Sequence, residues 1–128
     1  MYSYNSSHKI IVVFIVIGWA IFHFVSKKDQ VLVYENGNPI RTGQTENNQN
    51  EGNWTWYHKN GFKQLSGSFK NGKREGQWIV YDTTGTMILK SNYINNLLNG
   101  PQITYGKGEE VLEINYFKND KIIKTTKP

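Results

Sequence analysis

The sequence predicts an all-β fold, a single-layer antiparallel meander of repeated hairpins, preceded by one N-terminal transmembrane helix. Three observations support this. From residue 51 onward the chain aligns with itself, without gaps, at an interval of 24 residues. Within the first two intervals, short β-branched and aromatic runs are separated by Asn-Gly or Thr-Gly turn signals. Ahead of the repeats, residues 10–25 form an uninterrupted apolar run.

Residues 1–26 are the expected anchor. The run IIVVFIVIGWAIFHFV has His23 as its single ionisable residue. As a helix it would measure about 24 Å, somewhat less than the roughly 30 Å hydrocarbon core. Lys9 on one side and Lys27 and Lys28 on the other can snorkel to close the difference. Trp19, Phe22 and Phe24 lie toward the second end, where aromatic rings favour the headgroup boundary. Two other readings stay open. Gly18-Trp19-Ala20 resembles the small-x-small site of a cleaved signal peptide, although cleavage there would leave five largely apolar residues at a new N-terminus. The segment could also be a buried helix. The expectation taken forward is a single-pass anchor with the repeats on the extracytoplasmic side, or a secreted chain if the segment is cleaved.

Residues 27–50 read as a linker containing a degenerate partial repeat, because Gly37 stands 24 residues before Gly61 and Val33 falls in the column of Tyr57. Residues 51–122 form three full units, EGNWTWYHKNGFKQLSGSFKNGKR, EGQWIVYDTTGTMILKSNYINNLL and NGPQITYGKGEEVLEINYFKNDKI. The structural columns are Gly52, Gly76 and Gly100; Tyr57, Tyr81 and Tyr105; and Phe69, Tyr93 and Phe117. Trp54 and Trp78 match, with Gln102 in the third place. Residues 123–128 read as a basic tail. Strands are expected at 54–58, 62–70, 77–82, 86–94, 102–105 and 111–118, joined by tight turns that make each neighbouring pair antiparallel.

Alternation along these strands divides the side chains between two faces. Tyr57, Ile79, Tyr81, Ile103 and Tyr105 are expected on one face, joined by Leu65, Phe69, Leu89, Tyr93, Val111 and Phe117. The other face shows Trp54, Trp56, Trp78 and Val80 beside Gln102 and Thr104.

The run FKNGKREGQWIVYDTTG, residues 69–85, resembles a MORN repeat, and more closely the bacterial MORN-variant repeats, many of which are described as antitoxins of toxin–antitoxin pairs. The similarity extends from Glu51 to Lys121 through the pattern aromatic-x-Asn-Gly-Lys-x-x-Gly-x-Trp-x-x-Tyr-x-x-x-Gly. It implies a twisted one-layer hairpin meander used for protein contacts, for dimerisation or for lipid binding, with no enzymatic activity of its own. The third unit departs from the pattern at Gln102, at Glu109 in place of glycine, and at Asn119-Asp120 in place of Asn71-Gly72.

The chemistry expected of the chain is correspondingly limited. With no cysteine there can be no disulfide, thiol nucleophile or zinc–cysteine site. The carboxylates are dispersed, His58 lies beside a turn, and no nucleophile–base or metal-ligand spacing is present. No catalytic residue, cofactor or metal is therefore expected. The formal charge of +5 is scattered, apart from Lys118, Lys121, Lys124 and Lys127 interrupted by Asp120, and no nucleic-acid partner is expected.

The expected function is a membrane-tethered, non-catalytic module that binds a protein, a toxin being one candidate. Trp54, Trp56 and Trp78 are the expected contact residues, because tryptophan anchors interfaces. The alternative is a lipid- or envelope-surface module using Lys70, Lys73 and Arg74, or one that assembles with copies of itself.

Overall fold

The structure, a computed structural model, describes Ile17 and residues 31–128. The expected anchor and its alternatives therefore lie outside the described residues, Ile17 apart. Among the described residues no helix is long and apolar enough to cross a membrane.

Residues 31–128 form one antiparallel sheet in meander order. Its strands are β1 (Arg41–Glu46), β2 (Gln49–Tyr57), β3 (Lys63–Lys70), β4 (Lys73–Tyr81), β5 (Met87–Ile94), β6 (Leu97–Leu98), β7 (Gly100–Tyr105), β8 (Val111–Lys118) and β9 (Lys121–Thr126). Each strand pairs with its chain neighbour except β7, which follows the short β6 and continues the sheet along β5. The fold class read from the repeats is thus the observed one.

The 24-residue period is written into the hydrogen bonds. At one end of the sheet Gly37, Gly61, Gly85 and Glu109 each donate their backbone N–H to the carbonyl three residues earlier, at 2.9–3.1 Å. At the other end the central turn pairs are Asn47-Asn48, Asn71-Gly72, Asn95-Asn96 and Asn119-Asp120, and all eight residues have positive φ. Two successive left-handed residues define the type I′ turn, whose twist matches that of the flanking strands. Asparagine tolerates that region better than other residues with a Cβ, so these turns persist where glycine is missing. In the first two units a carboxylate at the unit's first residue clips the turn: Glu51 Oε2 accepts from Asn71 N–H at 2.7 Å, and Glu75 Oε2 from Asn95 N–H at 2.8 Å. In the third unit Asn99 Oδ1 takes the same place, at a longer 3.4 Å from Asn119 N–H. Glu75→Ala is expected to cost about 1–2 kcal/mol in urea denaturation, since a charge-assisted bond to a turn amide is lost. Glu75→Gln should retain part of that.

Glu109 adopts φ 62° where Gly61 and Gly85 adopt 91° and 89°. A side chain held in the left-handed region stores about 1 kcal/mol or more. Glu109→Gly should therefore stabilise the fold by roughly 0.5 kcal/mol after the added freedom of the unfolded chain is subtracted, measurable as a higher urea midpoint.

Several sequence expectations shift. The strands after the type I′ turns begin earlier than expected, directly at the turn, as in β2 and β4. The segment set aside as a basic tail is mostly strand β9. The larger correction concerns the faces. The two-residue turn pairs Lys70 with Lys73 and Phe69 with Arg74, so odd-numbered residues of β3 share a face with even-numbered residues of β4. Leu65, Phe69, Leu89, Tyr93 and Phe117 accordingly lie on the tryptophan face, not with Ile79 and Ile103. Trp54 pairs with Gly67, Trp56 with Leu65, Leu65 with Val80, Val80 with Leu89, and Gly76 with Tyr93.

The core is consequently a ladder of rings on one side of the sheet. Trp54 and Trp78, at 6% and 5% exposure, are its buried hydrophobic residues. Trp54, Phe69, Trp78 and Tyr93 meet edge-to-face in succession, at centroid separations of 6.2, 5.0 and 6.2 Å and angles of 86°, 85° and 76°. Such pairs contribute about 0.5–1.5 kcal/mol each beyond the area they bury.

Candidate functional site

Each buried tryptophan lies across a glycine of the adjacent strand. A Cβ at Gly43 would fall 2.1 Å from the Trp54 ring, and one at Gly67 would fall 2.1 Å from the Trp78 ring. The ring nitrogens are also satisfied, Trp54 Nε1 donating to the Gln44 carbonyl at 3.0 Å and Trp78 Nε1 to the Ser68 carbonyl at 3.2 Å. Twenty-four residues beyond Gly67 stands Ser91, 5% exposed, and its neighbour in the tryptophan column is Gln102. Gln102 Nε2 donates to Ser91 Oγ at 3.0 Å. The loss of tryptophan in the third unit is therefore one half of a paired exchange: a ring over a glycine is replaced by an amide over a hydroxyl.

This geometry corrects the expected exposure of the contact residues. Trp54 and Trp78 are buried and hydrogen-bonded, because glycines beneath them let the rings lie flat against the sheet; neither can serve as an exposed anchor. Trp56 is half-buried, with its ring 5.7 Å from that of Trp54 and 5.8 Å from that of Trp78. It remains accessible, beside a groove of about 360 Å³. Trp78, Phe69 and Tyr93 contribute to the lining together with Trp56, Leu65, Val80 and Leu89, while Arg74, Ser91 and Gln102 provide its polar part. Leu65, Val80 and Leu89 were missed as site residues because the face assignment separated them. The pairing imposed by the turn at Asn71-Gly72 is the sequence signal that would have found them.

The basic residues Lys70, Lys73 and Arg74 are not placed alike. Lys70 and Lys73 are exposed partners flanking a turn. Arg74 is held inward: its guanidinium carbon lies 4.0 Å from the Tyr93 ring centroid, and its Nε donates to Asn96 Oδ1 at 2.8 Å. The guanidinium thus stacks on Tyr93 at the groove instead of standing free at the surface.

The remaining columns are structural. Gly52, Gly76 and Gly100 have φ of 66°, 74° and 88°, with open space where a Cβ would stand at Gly52 and Gly76. There the backbone conformation, not crowding, selects glycine. Tyr57 Oη lies 3.3 Å from Thr42 Oγ1, and the Tyr57 carbonyl accepts from Tyr34 Oη at 2.9 Å. His58, 24 residues after Tyr34, repeats that link: its Nε2 lies 3.0 Å from the Tyr81 carbonyl, a geometry that requires the proton on Nε2. Asp82, next in the column, binds within its own loop. Its carboxylate accepts from the Thr84 hydroxyl at 2.6 Å and from the Thr84 and Thr86 amides, and these bonds, the hydroxyl first, hold it below the usual carboxylate range. Among the described residues no group of three or more His, Asp or Glu side chains could hold a metal ion.

No protein-family model and no curated protein matches this chain. The fold and groove together define a single-sheet hairpin-repeat protein with an aromatic face.

Proposed function

We propose that this chain is a non-catalytic binding module of the MORN-like kind, tethered to a membrane by residues 10–25, which captures a protein partner on its aromatic face. The observation that supports this most directly is the groove itself. A one-layer sheet leaves its apolar face without a second layer, and half-buried Trp56, Leu65, Val80 and Leu89 line a concavity that an apolar side chain of a partner can fill. The buried tryptophans beneath supply rigidity, which lowers the ordering cost of binding. The resemblance to MORN-variant repeats makes a toxin neutralised by masking the candidate partner.

The test is affinity capture by the full-length chain from lysate of the source organism, repeated with Leu65→Glu and Leu89→Glu. These place a charge in the groove without touching Trp54 or Trp78. A single stoichiometric partner, lost by at least about thirtyfold in both variants while circular dichroism is unchanged, is the expected result. Equal capture by wild type and both variants would remove the groove from the interface.

A further inference from the structure

The two outer strands of the sheet are not equivalent. β1 pairs with β2, and residues 31–40 fold across its start: Ile40 N–H donates to the Leu32 carbonyl at 2.7 Å, and Val33 bridges Pro39. Among the described residues β9 pairs with β8 alone. Ile122 and Ile123 on β9 are 58% and 66% exposed, more than any other large hydrophobic residue described. They are flanked by Lys121 and Lys124, with Lys118 across the turn. Lys127 is paired with Glu113 at 3.5 Å, whereas Lys118 and Lys121 have no carboxylate within ion-pair distance among the described residues. The carboxylate nearest in sequence, Asp120, is engaged by the Leu98 N–H at 2.7 Å.

We propose that the β9 edge receives an extended peptide segment of a protein partner in which apolar residues alternate with acidic ones, added as a further strand. An outer strand offers a row of unpaired N–H and C=O groups, and strand addition uses them for affinity while side chains set specificity. Lysines alone would be explained as guards of an open edge, but guards do not account for two adjacent, exposed isoleucines between them. The same lysines oppose pairing with a second β9, because like charges would face one another across the new ladder. They favour a strand that brings carboxylates. Ile122 pairs with Phe117, so an apolar residue on the incoming strand would extend the aromatic side of the sheet. This surface is independent of the groove between Trp56 and Leu89.

The test is fluorescence anisotropy of labelled short peptides with the full-length chain. The probes are an alternating Val/Glu peptide, the same peptide with alternate valines replaced by proline, an alternating Val/Lys peptide, and a single-stranded oligothymidylate. The Val/Glu peptide should bind at least about tenfold more tightly than the proline form, which keeps the charge but cannot complete a ladder. Lys121→Glu together with Lys124→Glu, both exposed and outside the ring ladder, should abolish that binding and confer binding of the Val/Lys peptide. Backbone amides of β9 should gain hydrogen-exchange protection only with the Val/Glu peptide. Equal binding of the proline form, tighter binding of the oligonucleotide, or no saturable peptide binding would each overturn the proposal.

Discussion

Trp78→Ala is expected to lower the unfolding free energy by about 3–5 kcal/mol, the largest loss from any single truncation in the sheet. Trp78 is 5% exposed and its ring lies 5.0 Å from that of Phe69, 5.8 Å from that of Trp56 and 6.2 Å from that of Tyr93, centroid to centroid, so its removal opens the ladder at its centre. It also leaves the Ser68 carbonyl without its indole donor. A domain of this size has a total stability on the order of 5–15 kcal/mol, so the loss removes a large share of it. Urea denaturation followed by circular dichroism gives the number directly. Trp56→Ala, which removes a half-buried ring, should cost roughly 2 kcal/mol less. If the two truncations cost the same, the ring ladder is not the main source of stability.

Gly67→Ser and Trp78→Gln are each expected to destabilise strongly, yet to do so less than additively when combined. The serine alone places a Cβ 2.1 Å from the Trp78 ring and must displace it, an overpacking cost of about 1–3 kcal/mol or more. The glutamine alone leaves space over Gly67 and an amide without its hydroxyl partner. Together they recreate the Ser91–Gln102 pair that joins the second and third units, with its 3.0 Å hydrogen bond. The double variant should therefore be about 1–2 kcal/mol more stable than the sum of the single losses predicts. It should remain below wild type, because the edge-to-face contacts to Phe69 and Tyr93 are not restored. Additivity within about 0.5 kcal/mol would mean that the exchange in the third unit is not compensatory.

How far the fold was legible follows from particular residues. The recurrence of Gly52, Tyr57 and Phe69 at 24-residue intervals, with tight turns between short strands, leads to a hairpin meander before any coordinate is known. Asn47-Asn48 and Asn95-Asn96 were harder to see as turns because they lack glycine, although they occupy the column of Asn71-Gly72. β9 was hidden by its lysines, which suit a solvated tail as well as an outer strand.

The site was less legible. Gly43 and Gly67 each stand eleven residues before Trp54 and Trp78, and nothing in that spacing alone says that a ring will lie upon a glycine. Under the alternative lipid-surface reading Arg74 stood with Lys70 and Lys73 as a basic cluster, whereas pairing across the turn places it on the Tyr93 ring. The groove needs side chains from five strands, β2 to β5 and β7, to converge, and their shared face depends on turn length and on register breaks such as that between Ser66 and Ser68.

The sequence by itself determined the period, the turn chemistry and the all-β class, because these depend on local backbone preference repeated at a fixed interval. Only the tertiary structure decided which face is the core, which tryptophans are buried and where the groove opens. Burial is a property of cross-strand register, and a shift of one residue exchanges every side chain between the two faces of a sheet.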